Sequence, residues 1–142
     1  MKRGFIYLLK NSGGKYKIGV TEDLVYKRVN KLNSSTSSDG LIEAIAYSEV
    51  SDINKLERAL HRNYEETRFK NPSKRFNEWF NLNEIEVHEL YDIFKENCIG
   101  ASLIPKPSAY YRLIQIEKEL LAIESLQTDS ILEAEALEAL TN

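Results

Sequence analysis

The sequence of 142 residues contains one cysteine, Cys98, and no long apolar stretch. A single cysteine excludes an internal disulfide and any metal cluster built from several cysteines. No segment approaches the roughly 20 apolar residues that a membrane-spanning helix needs. The first apolar run is interrupted at Lys10 and is too short for a signal peptide. We therefore expect a cytoplasmic protein with no membrane partner.

Motifs that read nucleobases are also absent, since the sequence has no zinc finger, helix-turn-helix or aromatic RNP motif. The net charge is only −3, but it is distributed unevenly. Residues 1–80 contain 15 Lys and Arg against 10 Asp and Glu, whereas residues 81–142 contain 4 against 12. A mildly basic part is thus joined to a strongly acidic one. This distribution permits a basic patch for nucleic acid but does not require one.

The apolar pattern of the first 97 residues predicts an α+β fold, with a short antiparallel sheet flanked by helices. Gly13 and Gly14 separate two predicted strands, at about 4–10 and 15–20. We expect Asp23 and Ser51 to cap the first and second helices. The remaining predicted elements are a strand at 41–50, a short strand at 78–80 and a helix from about 83 to 97. The order β-β-α-β-α is typical of an α+β sandwich and not of a doubly wound sheet.

The chain divides into a domain at 1–97, a linker at 98–108 that contains one glycine and two prolines, and an acidic helical extension at 109–142. In the extension, apolar residues at 113, 116, 120 and 123 have heptad-like spacing over about two heptads. Ser130 and Glu133 form a capping-box pattern, which predicts a separate last helix. We expect the extension to support a homo-oligomer or to bind a protein partner.

Several short motifs follow one another along the first domain. In chain order they are Phe5-Ile6-Tyr7, Lys17-Ile18-Gly19 with Thr21 shortly after it, Arg28, Leu56-Glu57-Arg58-Ala59-Leu60-His61, and Glu78-Trp79-Phe80. This ordered set resembles the GIY-YIG nuclease superfamily, and most closely the branch of the phage T5 open-reading-frame and Mug113-like proteins. The resemblance covers roughly residues 3–95. It implies a metal-dependent endonuclease that hydrolyses phosphodiester bonds of nucleic acid, which we expect to be DNA, in a phage or mobile-element setting.

The side chains of these motifs suit phosphodiester hydrolysis, which needs an activated water and neutralised phosphate charge. Tyr7 is the expected base, and Lys17 either lowers its pKa or takes the proton itself. Tyr16 is an alternative base. Arg28 is expected to hold the phosphate, and Glu57 to hold one divalent ion, Mg²⁺ or Mn²⁺, with waters completing its shell.

Other residues are candidates for supporting roles. His61 lies one helical turn after Glu57 and is interpreted either as a supporting residue or as half of a surface Glu–His pair. Asn77 is a second supporting candidate. The basic residues that could follow a nucleic-acid backbone, or simply be solvated, are Lys27, Lys31, Lys70, Lys74 and Arg75.

Three positions depart from the superfamily pattern. Phe5 stands where the first motif has glycine, Lys17 replaces the second tyrosine, and Leu32 stands where many members have His or Tyr. These departures favour an alternative function. In that alternative the domain is a catalytically weak or inactive binding module that acts through nucleic-acid or protein contacts.

Overall fold

The computed structural model of the protein describes residues 1–34, 40–70 and 78–141. The chain forms two compact units, Met1–Lys106 and Pro107–Asn142. Among the described residues, the first unit combines one antiparallel sheet with three α-helices and a short 3₁₀ helix, Glu65–Thr67, which confirms the predicted α+β class. Within the described residues, no helix is long and apolar enough to cross a membrane.

The predicted hairpin is confirmed as β1, Gly4–Asn11, paired antiparallel with β2, Tyr16–Thr21. Gly14 has a φ of 81°, a conformation that glycine adopts without steric cost. The side chain of Asn11 accepts a hydrogen bond from the Lys15 backbone N–H at 2.8 Å. The turn is thereby held by a buried asparagine as well as by backbone hydrogen bonds.

Three further strands complete the sheet: β3, Ile42–Val50; β4, Trp79–Phe80; and β5, Ser102–Leu103. Their spatial order is β4-β2-β1-β3-β5, and every neighbouring pair is antiparallel. β5 was not predicted, because two residues are too few to show the alternation of apolar and polar residues that indicates a strand. It lies within the segment interpreted as a linker and pairs with β3.

Three helices pack on this sheet: α1, Val25–Asn33; α2, Ile53–Asn63; and α3, Glu84–Glu96. Two predicted caps are wrong. The residue before α1 is Leu24, and the Asp23 side chain accepts from the Leu24 N–H instead of from the first helical turn. Asp52, and not Ser51, caps α2 by accepting from the Lys55 N–H.

The sheet buries two separate apolar clusters, one on each face, because successive strand residues point to opposite sides. Ile6, Leu8 and Ile18 lie in the larger cluster, with residues of α2 and α3. Tyr7 and Leu9 lie in the smaller cluster, with residues of α1. The two faces therefore carry different helices, and Tyr7 belongs to the face that α1 covers.

The second unit contains α4, Ala109–Thr141, as one continuous helix. The predicted break at Ser130 is wrong, because no glycine or proline lies between 109 and 141 to end the helix. Every residue from 116 to 139 is exposed. The apolar side chains of this stretch therefore remain in contact with solvent in the single chain.

Candidate active site

Tyr7 is the buried centre of the candidate site, with 1% of its surface exposed. Its direct partner on β2 is Gly19. A Cβ built on Gly19 would lie only 2.5 Å from the Tyr7 hydroxyl and 2.6 Å from its ring carbon Cζ. The tyrosine ring can therefore lie across β2 only because residue 19 has no side chain.

The electrostatic surroundings of the Tyr7 hydroxyl combine one cation with two carboxylates. Burial raises the pKa of the phenol above its ordinary value, whereas a hydrogen bond and the charge of Arg28 lower it. The negative charges of Glu78 and Glu57 add to the rise. Arg28, Glu57 and Glu78 thus act on one hydroxyl although they are distant in the sequence.

Lys17 is on the same face of the sheet as Tyr7, but its direct partner on β1 is Leu9. Its ammonium lies 3.0 Å from Oε2 of Glu78 and 6.0 Å from the Trp79 ring centre. The side chain is buried, with 8% of the residue exposed. Arg28 is the cation that opposes the burial-induced rise of the Tyr7 pKa, and the expectation that Lys17 lowers this pKa or takes the proton itself stays a prediction.

Glu57 belongs to α2, which packs on the opposite face of the sheet from Tyr7. The edge of β2 explains how Glu57 can still act on the Tyr7 hydroxyl. β1 covers one edge of β2 along its whole length, but β4 pairs only with Tyr16 and Lys17, so among the described residues no strand covers the rest of the other edge. There, Nε2 of His61 lies 2.8 Å from the carbonyl oxygen of Ile18. This contact attaches α2 to the open edge of β2, and Glu57 lies one helical turn before His61.

Two contacts hold the His61 ring, one at each of its nitrogens. Nε2 must donate, because its partner is a carbonyl oxygen, and Nδ1 lies 3.2 Å from Nη2 of Arg68. The ring also packs edge-on against Phe80, with 5.3 Å between the ring centres. The His61 ring is therefore held between β2 and Arg68.

Glu57 is half-buried, and burial raises the pKa of its carboxyl above the ordinary value. The charge of His61 opposes this rise in the Glu57 pKa, Glu78 adds to it, and Lys17 opposes it to a smaller extent. Among the described residues, no group of three His, Cys, Asp or Glu side chains converges as a metal cage would require. A metal ion at this point would therefore have to take most of its ligands from water, as Mg²⁺ commonly does.

Of the remaining candidates, one lies on the other face of the sheet, three are exposed and three are not described. Tyr16 lies on the opposite face of the sheet from Lys17 and packs against the larger apolar cluster. Lys27, Lys31 and Lys70 are exposed, and Lys27 also lies 3.7 Å from the carboxylate of Asp23. Three candidates, Lys74, Arg75 and Asn77, lie outside the described residues.

The sequence interpretation did not assign functions to Glu78 and Gly19. Glu78 belongs to a motif that was interpreted as a strand and as part of the family resemblance, with no role for the carboxylate, yet this carboxylate contacts Lys17 and acts on both Tyr7 and Glu57. Its position next to a short strand gave no local signal of this role. Gly19 could have been suspected, since a glycine inside a strand often marks a close approach of another group.

The chain was compared with known protein families, curated proteins and solved structures. The T5orf172 domain family matches residues 4–98. No curated protein and no solved structure matches the chain. The family match covers the whole sheet except β5, together with α1, α2, α3 and every residue of the cluster around Tyr7. Because it spans more than half of the sequence, the chain belongs to the T5orf172 domain family.

Proposed function

We propose that the protein is a metal-dependent endonuclease that cleaves phosphodiester bonds of nucleic acid, with DNA as the expected substrate. One observation carries the proposal: a buried tyrosine hydroxyl lies over a glycine with Arg28, Glu57 and Glu78 acting on it. The resemblance to GIY-YIG nucleases supports the same conclusion.

In this mechanism Tyr7 removes the proton from the attacking water. The high pKa of the phenol makes its charged form scarce at neutral pH, but that form is a strong base once present. Arg28 has a planar set of donors that suits two phosphate oxygens at once. It therefore both contacts the base and neutralises the phosphate charge that builds up in the transition state.

The negative charges of Glu57 and Glu78 both act on the Tyr7 hydroxyl, and burial, with the charge of Glu78 added, disfavours the ionised form of the Glu57 carboxyl. A divalent cation would favour that ionised form, so the donor set fits Mg²⁺ or Mn²⁺ held by Glu57. When bound, such an ion supplies positive charge to the phosphate and to the leaving oxygen. Lys17, paired with Glu78, and His61, bonded to β2, keep the glutamates in place.

The test compares cleavage of supercoiled plasmid, branched DNA and single-stranded DNA by the wild type, Tyr7→Phe, Glu57→Ala and a control, Tyr110→Phe. Tyr110 is an exposed tyrosine of α4, so its variant controls for loss of a hydroxyl as such. We expect metal-dependent cleavage by the wild type and the control, and none by the other two. Equal cleavage by Tyr7→Phe and the wild type would contradict the assignment of the base.

A binding module is the second candidate function, and one observation favours it. Burial raises the pKa of Tyr7, and the Lys17 ammonium pairs with the Glu78 carboxylate. In that case a folded wild type would bind nucleic acid in the presence of Mg²⁺ or Mn²⁺ without cleaving any of the three substrates. The acidic extension would then be the first place to search for a protein partner.

A further inference from the structure

An open groove of about 430 Å³ lies between α1 and β3, on the face of the sheet that contains Tyr7. Phe5 and Tyr47 contribute its aromatic surface, with their ring centres 5.8 Å apart in an edge-to-face arrangement. Its volume is within the usual range for small-ligand sites. The groove is therefore large enough for a flat aromatic ligand and offers ring surfaces for it to contact.

The walls of the groove are held together at one end by Asn33. Its side chain donates to the carbonyl of Ile42 at 2.9 Å and accepts from the N–H of the same residue at 2.8 Å. These two hydrogen bonds connect the end of α1 to β3. The separation of the walls is thus fixed by the protein before any ligand enters, which reduces the ordering that binding would require.

The rim carries one aromatic residue and two polar residues. Tyr26 is 61% exposed, and large aromatic side chains in this setting are typical stacking platforms for bases. Asn30 offers both a donor and an acceptor, and Glu43 offers acceptors only. A nucleobase, with ring faces and edge donors, matches this set. A phosphate does not, because Glu43 would repel it.

The groove adjoins the candidate active site through two elements. Phe5 and Tyr7 point to the same face of β1, two residues apart. Val25 lines the groove, and Arg28 follows it by one turn of α1. We propose that the groove is a subsite for one unpaired nucleobase of the strand whose phosphate lies at Arg28. The inference rests on the proposed function and narrows its substrate to single-stranded or locally unpaired nucleic acid.

The experiment measures binding of fluorescent single-stranded DNA by anisotropy, with EDTA present to prevent cleavage. A strand of the same length made only of abasic nucleotides has the same phosphates and no bases. We expect the wild type to bind the natural strand about tenfold more tightly than the abasic strand. Tyr26→Ala and Asn30→Ala should each reduce this preference, while Tyr110→Ala, which also removes an exposed tyrosine, should leave it unchanged.

The outcomes separate this inference from the proposed function. Equal affinity of the wild type for both strands, or an unchanged preference in Tyr26→Ala, would overturn the base subsite. Arg28→Ala tests the phosphate contact separately, because its loss should weaken binding of both strands to the same extent. A self-association of the protein that Tyr26→Ala abolishes, with no dependence on bases, would assign the groove to a second copy and also overturn the proposal.

Discussion

At the scale of single residues, burial and the neighbouring Arg28 shift the pKa of Tyr7 in opposite directions. Burial disfavours the phenolate and Arg28 favours it, and the net effect is a raised pKa. Below that pKa, the phenolate fraction increases about tenfold for each unit by which the pH rises. We therefore expect the cleavage rate to rise about tenfold per pH unit between about pH 6 and pH 9. Single-turnover cleavage across this range measures the slope, and a flat profile would contradict a tyrosine base.

Glu57 should make the folded protein less stable at neutral pH than a neutral residue would. Its raised pKa means that the folded state binds the proton more tightly than the unfolded state, so stability falls as pH rises from the ordinary pKa through the raised one. We therefore expect Glu57→Gln to have the higher thermal midpoint at pH 7 without metal ions. That advantage should disappear below about pH 4, where the wild-type carboxyl is protonated in both states.

Thermal denaturation of the wild type and Glu57→Gln with added Mg²⁺ or Mn²⁺ provides a second measurement. A ligand that binds only the folded state raises its stability, so the wild type should gain stability from the metal ion. Glu57→Gln should gain much less. Equal metal protection of the two proteins would remove Glu57 as the metal-binding residue.

Lys17 and Glu78 form a pair whose cation is buried. Glu78→Gln should lower the free energy of unfolding by about 1–2 kcal/mol, because the ammonium loses its carboxylate partner. Adding Lys17→Met to that variant should restore most of the loss, and chemical denaturation measures all three proteins. The exposed pair Lys2–Glu22 is the control, and Glu22→Gln should cost no more than about 0.5 kcal/mol.

At the scale of elements, the β1–β2 hairpin combines a predictable fold with an unpredicted contact. Two short apolar segments and the Gly13-Gly14 turn between them were sufficient to predict both strands. The register, which places Gly19 beneath Tyr7, depends on how the strands pair. Likewise α2 was predicted from its apolar stripe, but its attachment to the open edge of β2 through His61 depends on β4 being only two residues long.

Gly19→Ala tests the close contact within the hairpin. The new Cβ would overlap the Tyr7 ring, so we expect a loss of about 1–3 kcal/mol in the free energy of unfolding and a large loss of cleavage. The control is Gly13→Ala in the turn, whose Cβ would meet its nearest atom at 3.4 Å and whose φ is not positive. Unchanged activity in Gly19→Ala would show that the position of the Tyr7 ring does not matter for the reaction.

At the scale of the whole molecule, the two units differ in how much they bury. Both apolar clusters lie within Met1–Lys106, whereas most of α4 is exposed. A chain ending after Ser108 should therefore remain folded, with a thermal midpoint within a few degrees of the full chain. It should also retain any cleavage activity, and its size in solution should show whether the extension drives self-association.

The control for this truncation is a chain ending after Cys98. It lacks β5 and also Ile104, which packs against the larger cluster. We expect this shorter chain to be clearly less stable than the chain ending after Ser108. Failure of the Ser108 truncation to fold would show that α4 is required for the stability of the first unit.

The sequence alone determined the elements that depend on neighbouring residues: the hairpin, the amphipathic helices, the α+β class and the motifs at Tyr7, Arg28 and Glu57. The hairpin, the helices and the fold class follow from spacings of two to four residues, which a single sequence displays directly. The motifs at Tyr7, Arg28 and Glu57 were instead identified by their resemblance to a known family. Only the tertiary structure decided that Arg28 is the cation on Tyr7 and that Glu78 binds Lys17. Such contacts join residues far apart in the chain, and strand register together with a short edge strand brings them together.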